Sequence, residues 1–212
     1  MDLYIIGAGD VGGYMIYHAN QMGKYKVKGF LDDNSNKWGE KPYGYEVVGG
    51  TDILENIDRN TAVAIAIANP KAKEIIYNKI KKHTKLSFPN FIHPSVWLGE
   101  NITLGKGNII YPGVTINFES VIEDFVIINM NAAIGHNCLL QNFSTVSPGV
   151  SCGGFTKLRS KSFLGINSTT LQSTTVGEGA LIGAGSVIIR DVPDGATVVG
   201  NPGRVLPPKR GV

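Results

Sequence analysis

Between Leu98 and Ile188 a side chain of the same kind recurs at every sixth residue: Leu98, Leu104, Ile110, Ile116, Ile122, Ile128, Ile134, Leu140, Val146, Cys152, Leu158, Leu164, Thr170, Val176, Ile182 and Ile188. Thr170 alone interrupts the apolar series of sixteen, and no insertion shifts the frame. A helix repeats its faces at about 3.6 residues and a strand at two, so neither has a use for a period of six. A coil with three flat sides does, because each side then sends one large side chain inward. Two residues earlier stands a mostly small or β-branched residue, among them Val96, Ile102, Val114, Ser120, Val126, Ala132, Cys138, Ser144, Val150 and Ser186, sized for the space beside a corner. Glycine follows several series positions (Gly99, Gly105, Gly135, Gly165, Gly177, Gly183), where it is expected to ease the turn. Three sides make a coil of eighteen residues, so the series fills about five coils. At roughly 4.8 Å per stacked strand the prism is about 25 Å long. Cys138 and Cys152 fall on inward positions and read as small core residues.

Residues 1 to 90 follow a different rhythm. Leu3 to Ile6 is a short apolar run that ends in Gly7-Ala8-Gly9-Asp10-Val11-Gly12. A helix is expected to about Met22, a second strand over Val27 to Leu31 and a third over Ala62 to Ala68. Pro70 then opens an amphipathic helix with Ile75, Ile76 and Ile80 on one face. This order implies a small Rossmann-like α/β domain over residues 1–90, followed by a β-helix domain over 91–212 with a short C-terminal tail.

No apolar run approaches the roughly 18 residues of a membrane span. Two cysteines without a disulfide framework, and a start that lacks the basic-then-apolar layout of a leader, point to the cytoplasm. The net charge of +3 is modest. The densest basic run, Lys79, Lys81, Lys82, His83 and Lys85, is placed on a helix without interleaved aromatics, so it reads as a solvated face and not as a nucleic-acid surface.

Gly7, Gly9 and Gly12 between a strand and a helix, with Asp32 twenty residues further on, match the dinucleotide fingerprint. Taken alone, that argues for NAD. The α/β half supplies only half of a doubly wound fold, however, and the physics of the motif is broader: glycines let backbone amides and a helix N-terminus approach phosphate oxygens, and a sugar nucleotide meets that equally well. Among the histidines, His136 lies two residues past the inward Ile134, so it projects outward beside a corner, where packing gives little reason for it. His18 and His83, placed on helices, and His93, before Pro94, read as bland.

A series of motifs carries a resemblance across nearly the whole chain: the first glycine loop, Phe30-Leu31-Asp32-Asp33, Ala64 to Asn69, Ile92-His93-Pro94-Ser95, Ile134-Gly135-His136-Asn137-Cys138, Phe163 to Ser168 and Val199 to Arg204. In this order they resemble the bacterial left-handed β-helix sugar acyltransferases, in the subfamily of UDP-4-amino-sugar N-acetyltransferases and sialic acid O-acetyltransferases. The left-handed turn comes from this resemblance, since parallel crossovers are ordinarily right-handed. The resemblance implies a homotrimer with CoA between adjacent prisms, a nucleotide sugar held by the α/β half, no metal, and His136 as the base. Three positions depart from the pattern. Asn137 stands where the family places a carboxylate, Thr145 where it has a second histidine, and Val11 where it has a histidine in the first loop.

An amine attacking a thioester must lose a proton, and an imidazole suits that task at neutral pH. Beside His136 and Asn137, the resemblance places acetyl-CoA against Thr145, Gly165, Ile166, Gly183 and Ala184, with Arg204 at a phosphate. It places the nucleotide sugar against Gly9, Asp10, Val11, Asp32, Asp33 and Ala68. The reaction expected is acetyl transfer to an amino group of a nucleotide-linked 4-amino-deoxy sugar, of the UDP type, in surface-glycan synthesis. Transfer to a hydroxyl, and an NAD-binding or sensing module on a non-catalytic trimeric prism, are the alternatives. A hexapeptide carbonic anhydrase lacks its metal-ligating histidines.

Overall fold

The computed structural model describes residues 1–207, which divide after Phe91 into two compact units. The first holds β1 (Asp2–Ile6), α1 (Asp10–Met22), β2 (Lys26–Leu31), β3 (Val47–Gly49), β4 (Thr61–Ile65), α2 (Pro70–Ile80) and β5 (Leu86–Ser87). Its strands are parallel in the order β3-β2-β1-β4-β5. α1 stops at Gly23, whose left-handed φ of 64° ends the helical bonding. α2 begins where the Asn69 side chain accepts the amide of Ala72 at 3.1 Å and Pro70 occupies the first turn. Leu3, Ile5, Phe30, Leu31 and Ala62 to Ala66 fill the core.

Several sequence expectations need correction here. The strand expected over Ala62 to Ala68 ends at Ile65. β3 and β5 are too short to show a period of their own, and neither was anticipated. Ile75 is exposed, so the apolar stripe of α2 does not include it. The helix closes at Ile80, which leaves Lys81, Lys82, His83 and Lys85 beyond its end.

The second unit is a triangular prism of two-residue parallel strands, each bonded to a strand eighteen residues away. Face 1 carries the strands at 97–98, 115–116, 133–134, 151–152, 169–170 and 187–188. Face 2 carries those at 103–104, 121–122, 139–140, 157–158 and 175–176. Face 3 runs from 91–92 through 109–110, 127–128, 145–146, 163–164 and 181–182 to Thr197–Val199, with Arg204–Val205 added antiparallel. The prism thus extends past both ends of the six-residue series. Leu98, at the open first coil, is partly exposed, whereas Ile116, Ile122, Leu140, Leu158, Leu164 and Ile182 are fully buried.

Thr170, the polar member, sits in the core with its hydroxyl 2.9 Å from that of Thr156, so the irregular rung is hydrogen-bonded within the core. Cys138 and Cys152 are buried and unpaired, and burial pushes their thiols up to about 11 and about 12.

The turns are built differently from the expectation. The left-handed residue is the third after each inward one, not the glycine directly after it: Asn101, Gly107, Gly113, Glu119, Phe125, Asn131, Asn137, Phe143 and so on to Gly185. The glycine one step past the inward residue serves close approach between coils. A Cβ on Gly135 would lie 2.7 Å from the amide nitrogen of Gly154, and one on Gly165 2.7 Å from that of Ala184. No helix among the described residues is long and apolar enough to cross a membrane.

Candidate functional site

In the first unit, β1 and β4 are neighbours from which the chain departs in opposite directions, and the crevice at their carboxyl ends is where open α/β sheets place ligands. The glycine loop leaves β1 on one side of it, and Ala66 to Ala68 leave β4 on the other. A Cβ on Gly7, whose φ is 103°, would lie 2.8 Å from the Ala66 carbonyl oxygen, and one on Gly12 would strike the Gly7 carbonyl and the Phe30 ring. Gly9 differs from both. It caps α1 without a side-chain bond, and a Cβ built on it meets nothing within 4 Å. A bare backbone at the positive end of a helix is an arrangement that favours an anion.

The neighbours of Gly9 are already engaged. Asp10 accepts the Tyr43 hydroxyl at 3.0 Å, and Val11 is half-buried in the first turn of α1. Asp32 accepts the amides of Ala8 (3.3 Å) and Asn34 (3.0 Å) and pairs with the Lys37 ammonium at 2.8 Å. Burial would raise its pKa, but Lys37 and the two amides outweigh that and hold it below the usual carboxylate value. Asp33 turns to Thr51, taking its amide at 2.7 Å and its hydroxyl at 2.9 Å, with Lys79 at 3.5 Å; burial is again outweighed and its pKa is lowered. The structure thus groups Gly9, Asp10, Asp32 and Ala68 around the crevice ends, while the Asp33 carboxylate is tied to the turn at Thr51–Asn56. Tyr43 and Lys37 went unrecognised in the sequence, because they meet Asp10 and Asp32 only through the irregular β2–β3 connection.

On the prism, His136 stands at the corner between faces 1 and 2. Its Nδ1 is 2.9 Å from Asn137 Oδ1. An amide oxygen can only accept, so Nδ1 is the donor, and in the neutral ring Nε2 is then the lone pair. Asn137 has a φ of 55°, a left-handed conformation that asparagine tolerates well, and this brings its side chain back to the ring. The Phe118 ring stacks on the imidazole at 5.3 Å, and the Phe155 ring meets it edge-on at 5.0 Å.

The other prism candidates lie elsewhere. Ile166 and Ala184 are exposed, eighteen residues apart on the corner between faces 3 and 1, with Gly165 and Gly183 beside them. Gly165 is buried against the Ala184 amide, and a Cβ on Gly183 would crowd Val199. Thr145 is buried on face 3. Arg204 lines a cavity of about 260 Å³ with Arg190, Asp191 and Gly203 near the last coil. A single prism therefore does not bring His136 and the Ile166 corner together, because face 1 separates them.

The remaining histidines have local settings: His18 is buried and stacks on Tyr14 at 5.6 Å, and His93 Nδ1 lies 2.8 Å from Ser95 Oγ.

Residues 2–80 match the PglD N-terminal domain family. Over an alignment of 217 positions the chain is 31% identical to the GDP-perosamine N-acetyltransferase of Escherichia coli O157:H7, with 97% of each covered. Among solved structures, the acetyltransferase domain of PglB from Neisseria gonorrhoeae FA1090 in complex with acetyl coenzyme A shares 33% identity at a TM-score of 0.89, over 97% of this chain and 98% of that one. PerB from Caulobacter crescentus in complex with CoA and GDP-perosamine shares 27% identity at a TM-score of 0.90, over 98% of both chains.

Proposed function

This chain belongs to the hexapeptide-repeat sugar acyltransferases, a Rossmann-like unit followed by a left-handed parallel β-helix, and on that premise we propose that it transfers the acetyl group of acetyl-CoA to the amino group of a nucleotide-linked sugar. The observation that carries the reading is the outward His136 imidazole, with Nδ1 bonded to Asn137 and Nε2 left as the acceptor. The amine nitrogen attacks the thioester carbonyl carbon, Nε2 takes the proton that the nitrogen loses, and the carbon–sulfur bond breaks to release CoA. The Gly9 cradle supports a diphosphate ligand, which UDP and GDP sugars share. The involvement of Asp32 with Ala8, Asn34 and Lys37 speaks against the ribose-binding role that NAD recognition asks of it.

The separation of the two corners supports a cleft shared between copies. We take His136 of one prism to face the Ile166–Ala184 corner of a neighbour, with CoA between them and Arg204 toward its phosphates. Face 1, which lies between those corners, presents Trp97, Thr115, Ala133, Ser151, Thr169 and Val187, none of them charged, and so suits contact between copies in a homotrimer. Two unpaired cysteines and a CoA thioester substrate fit a cytoplasmic setting.

The deciding assay offers acetyl-CoA with UDP- and GDP-linked amino sugars and their hydroxyl counterparts, reading thiol release and the mass of the product. We expect an N-acetyl product with at least one amino sugar; acetylation of a hydroxyl only, or no release with any, overturns the proposal. Sedimentation giving a monomeric mass at micromolar concentration removes the shared cleft.

A further inference from the structure

We propose that Gly154, Phe118 and Phe155 are positioning residues that hold the His136 imidazole in its reactive pose, an inference that rests on reading His136 as the base. Phe118, His136 and Gly154 each follow an inward residue by two (Ile116, Ile134, Cys152) and so stand on successive coils of one corner, about 4.8 Å apart. The His136 ring lies across the place that a side chain on the next coil would take. Phe118 takes the rung on one side of His136, its ring face-on with an interplanar angle of 14°.

The rung on the other side is empty, because residue 154 is glycine. A Cβ built there would lie 2.6 Å from Nε2, 2.8 Å from Cε1 and 3.0 Å from Cδ2 of His136, so its three nearest neighbours are all imidazole atoms. The adjacent glycine has a different reason to be glycine: a Cβ on Gly153 would strike the backbone of Gln172 and Leu171. Gly154 serves the imidazole, and Gly153 serves the coil. The third wall is Phe155, which occupies the left-handed corner position with a φ of 59°, a conformation that bulky residues rarely adopt. There it turns its ring at 86° to the imidazole. With Asn137 on Nδ1, the stack, the edge contact and the vacancy at 154 together fix the ring plane. Displacing a reacting group by about 1 Å costs on the order of 100-fold in rate.

The test compares Gly154→Ala, Phe118→Ala, Phe118→Tyr and His136→Ala, each assayed for kcat and for KM of acetyl-CoA, and the first three also for the ring-nitrogen NMR signals of His136. Gly154→Ala is expected to lower kcat about 100-fold with KM within about twofold, and to replace the single Nδ1–H tautomer by a mixture. Phe118→Ala is expected to lose about tenfold, and Phe118→Tyr, which keeps the stack, to recover most of it. A role in coil packing alone would move the melting temperature and leave the tautomer signals unchanged. If His136→Ala is inactive while Gly154→Ala turns over normally with an unchanged tautomer, the base stands and this inference is overturned. If His136→Ala keeps normal turnover, the base reading itself falls, and positioning for catalysis with it.

Discussion

In the prism a residue's place follows from counting; in the α/β unit it follows from partners the chain brings from elsewhere. Leu140 is buried because it is an inward member of a six-residue series, and its neighbours Ile122 and Leu158 lie eighteen residues away on either side. Asp33 takes its setting from Thr51 and Lys79, and Asp32 from Lys37, at separations that no period encodes. The difference shows where function is built in each. On a repeat, chemistry appears as an unexplained side chain at an outward position, such as His136. In the irregular unit it appears as a space kept free, such as the one above Gly9.

The largest effect should come from the prism side of this comparison. His136→Ala is expected to lower turnover by roughly two to four orders of magnitude, the usual worth of a positioned base. Acetyl-CoA affinity, measured by calorimetry, should stay the same. Near-normal turnover in that variant would mean that the repeat carries a scaffold only.

The α/β side is tested by Gly9→Val. A branched side chain on the bare cap fills the space a phosphate would occupy, so nucleotide-sugar affinity should fall by about 100-fold while acetyl-CoA binding is unchanged. Binding of both ligands at wild-type strength would show that the open space holds neither. Micromolar NAD binding by the wild-type chain would return the glycine fingerprint to its dinucleotide meaning.

How much could be read from the sequence follows the same division. The three-sided coil, the inward series and the outward placement of His136 were legible because each is a matter of register. The left-handed corner residue was misplaced, because glycine is the obvious candidate for a turn, whereas here Asn137, Phe125 and Lys161 take that conformation and the adjoining glycines relieve contact with the next coil. Gly154 was invisible as a site residue: its reason lies in the ring one coil away. In the α/β unit the glycine loop and α1 were legible, but β3, β5 and the Tyr43–Asp10 bond were not, since two- and three-residue strands have no pattern and side-chain pairing over thirty-three positions leaves no local mark.

A smaller effect probes the one rung at which the count is broken. Thr156→Ala should cost about 1–3 kcal/mol by denaturant unfolding, because it leaves the buried Thr170 hydroxyl with only the neighbouring Cys152 thiol. Thr156→Ala combined with Thr170→Val removes both hydroxyls and should cost less than the single change. Additive losses would mean that the pair is not coupled and that the series tolerates a threonine for another reason.

The smallest effect expected is also the most specific to this chain. Asn137 and aspartate both accept a left-handed backbone, so Asn137→Asp preserves the corner and still offers an oxygen to Nδ1. What changes is charge. A carboxylate beside the ring favours the imidazolium, so the acid limb of the kcat/KM profile should move upward, by up to about one pH unit. The same change raises the basicity of Nε2 and protonates more of it at low pH. Turnover near neutrality should therefore change little, with the direction of the limb as the reliable reading. A limb that stays in place would mean that the ring titrating in the profile is not the one bonded to residue 137. A limb that moves downward would contradict the contact between residue 137 and the ring, because a carboxylate beside either ring nitrogen stabilises the protonated form.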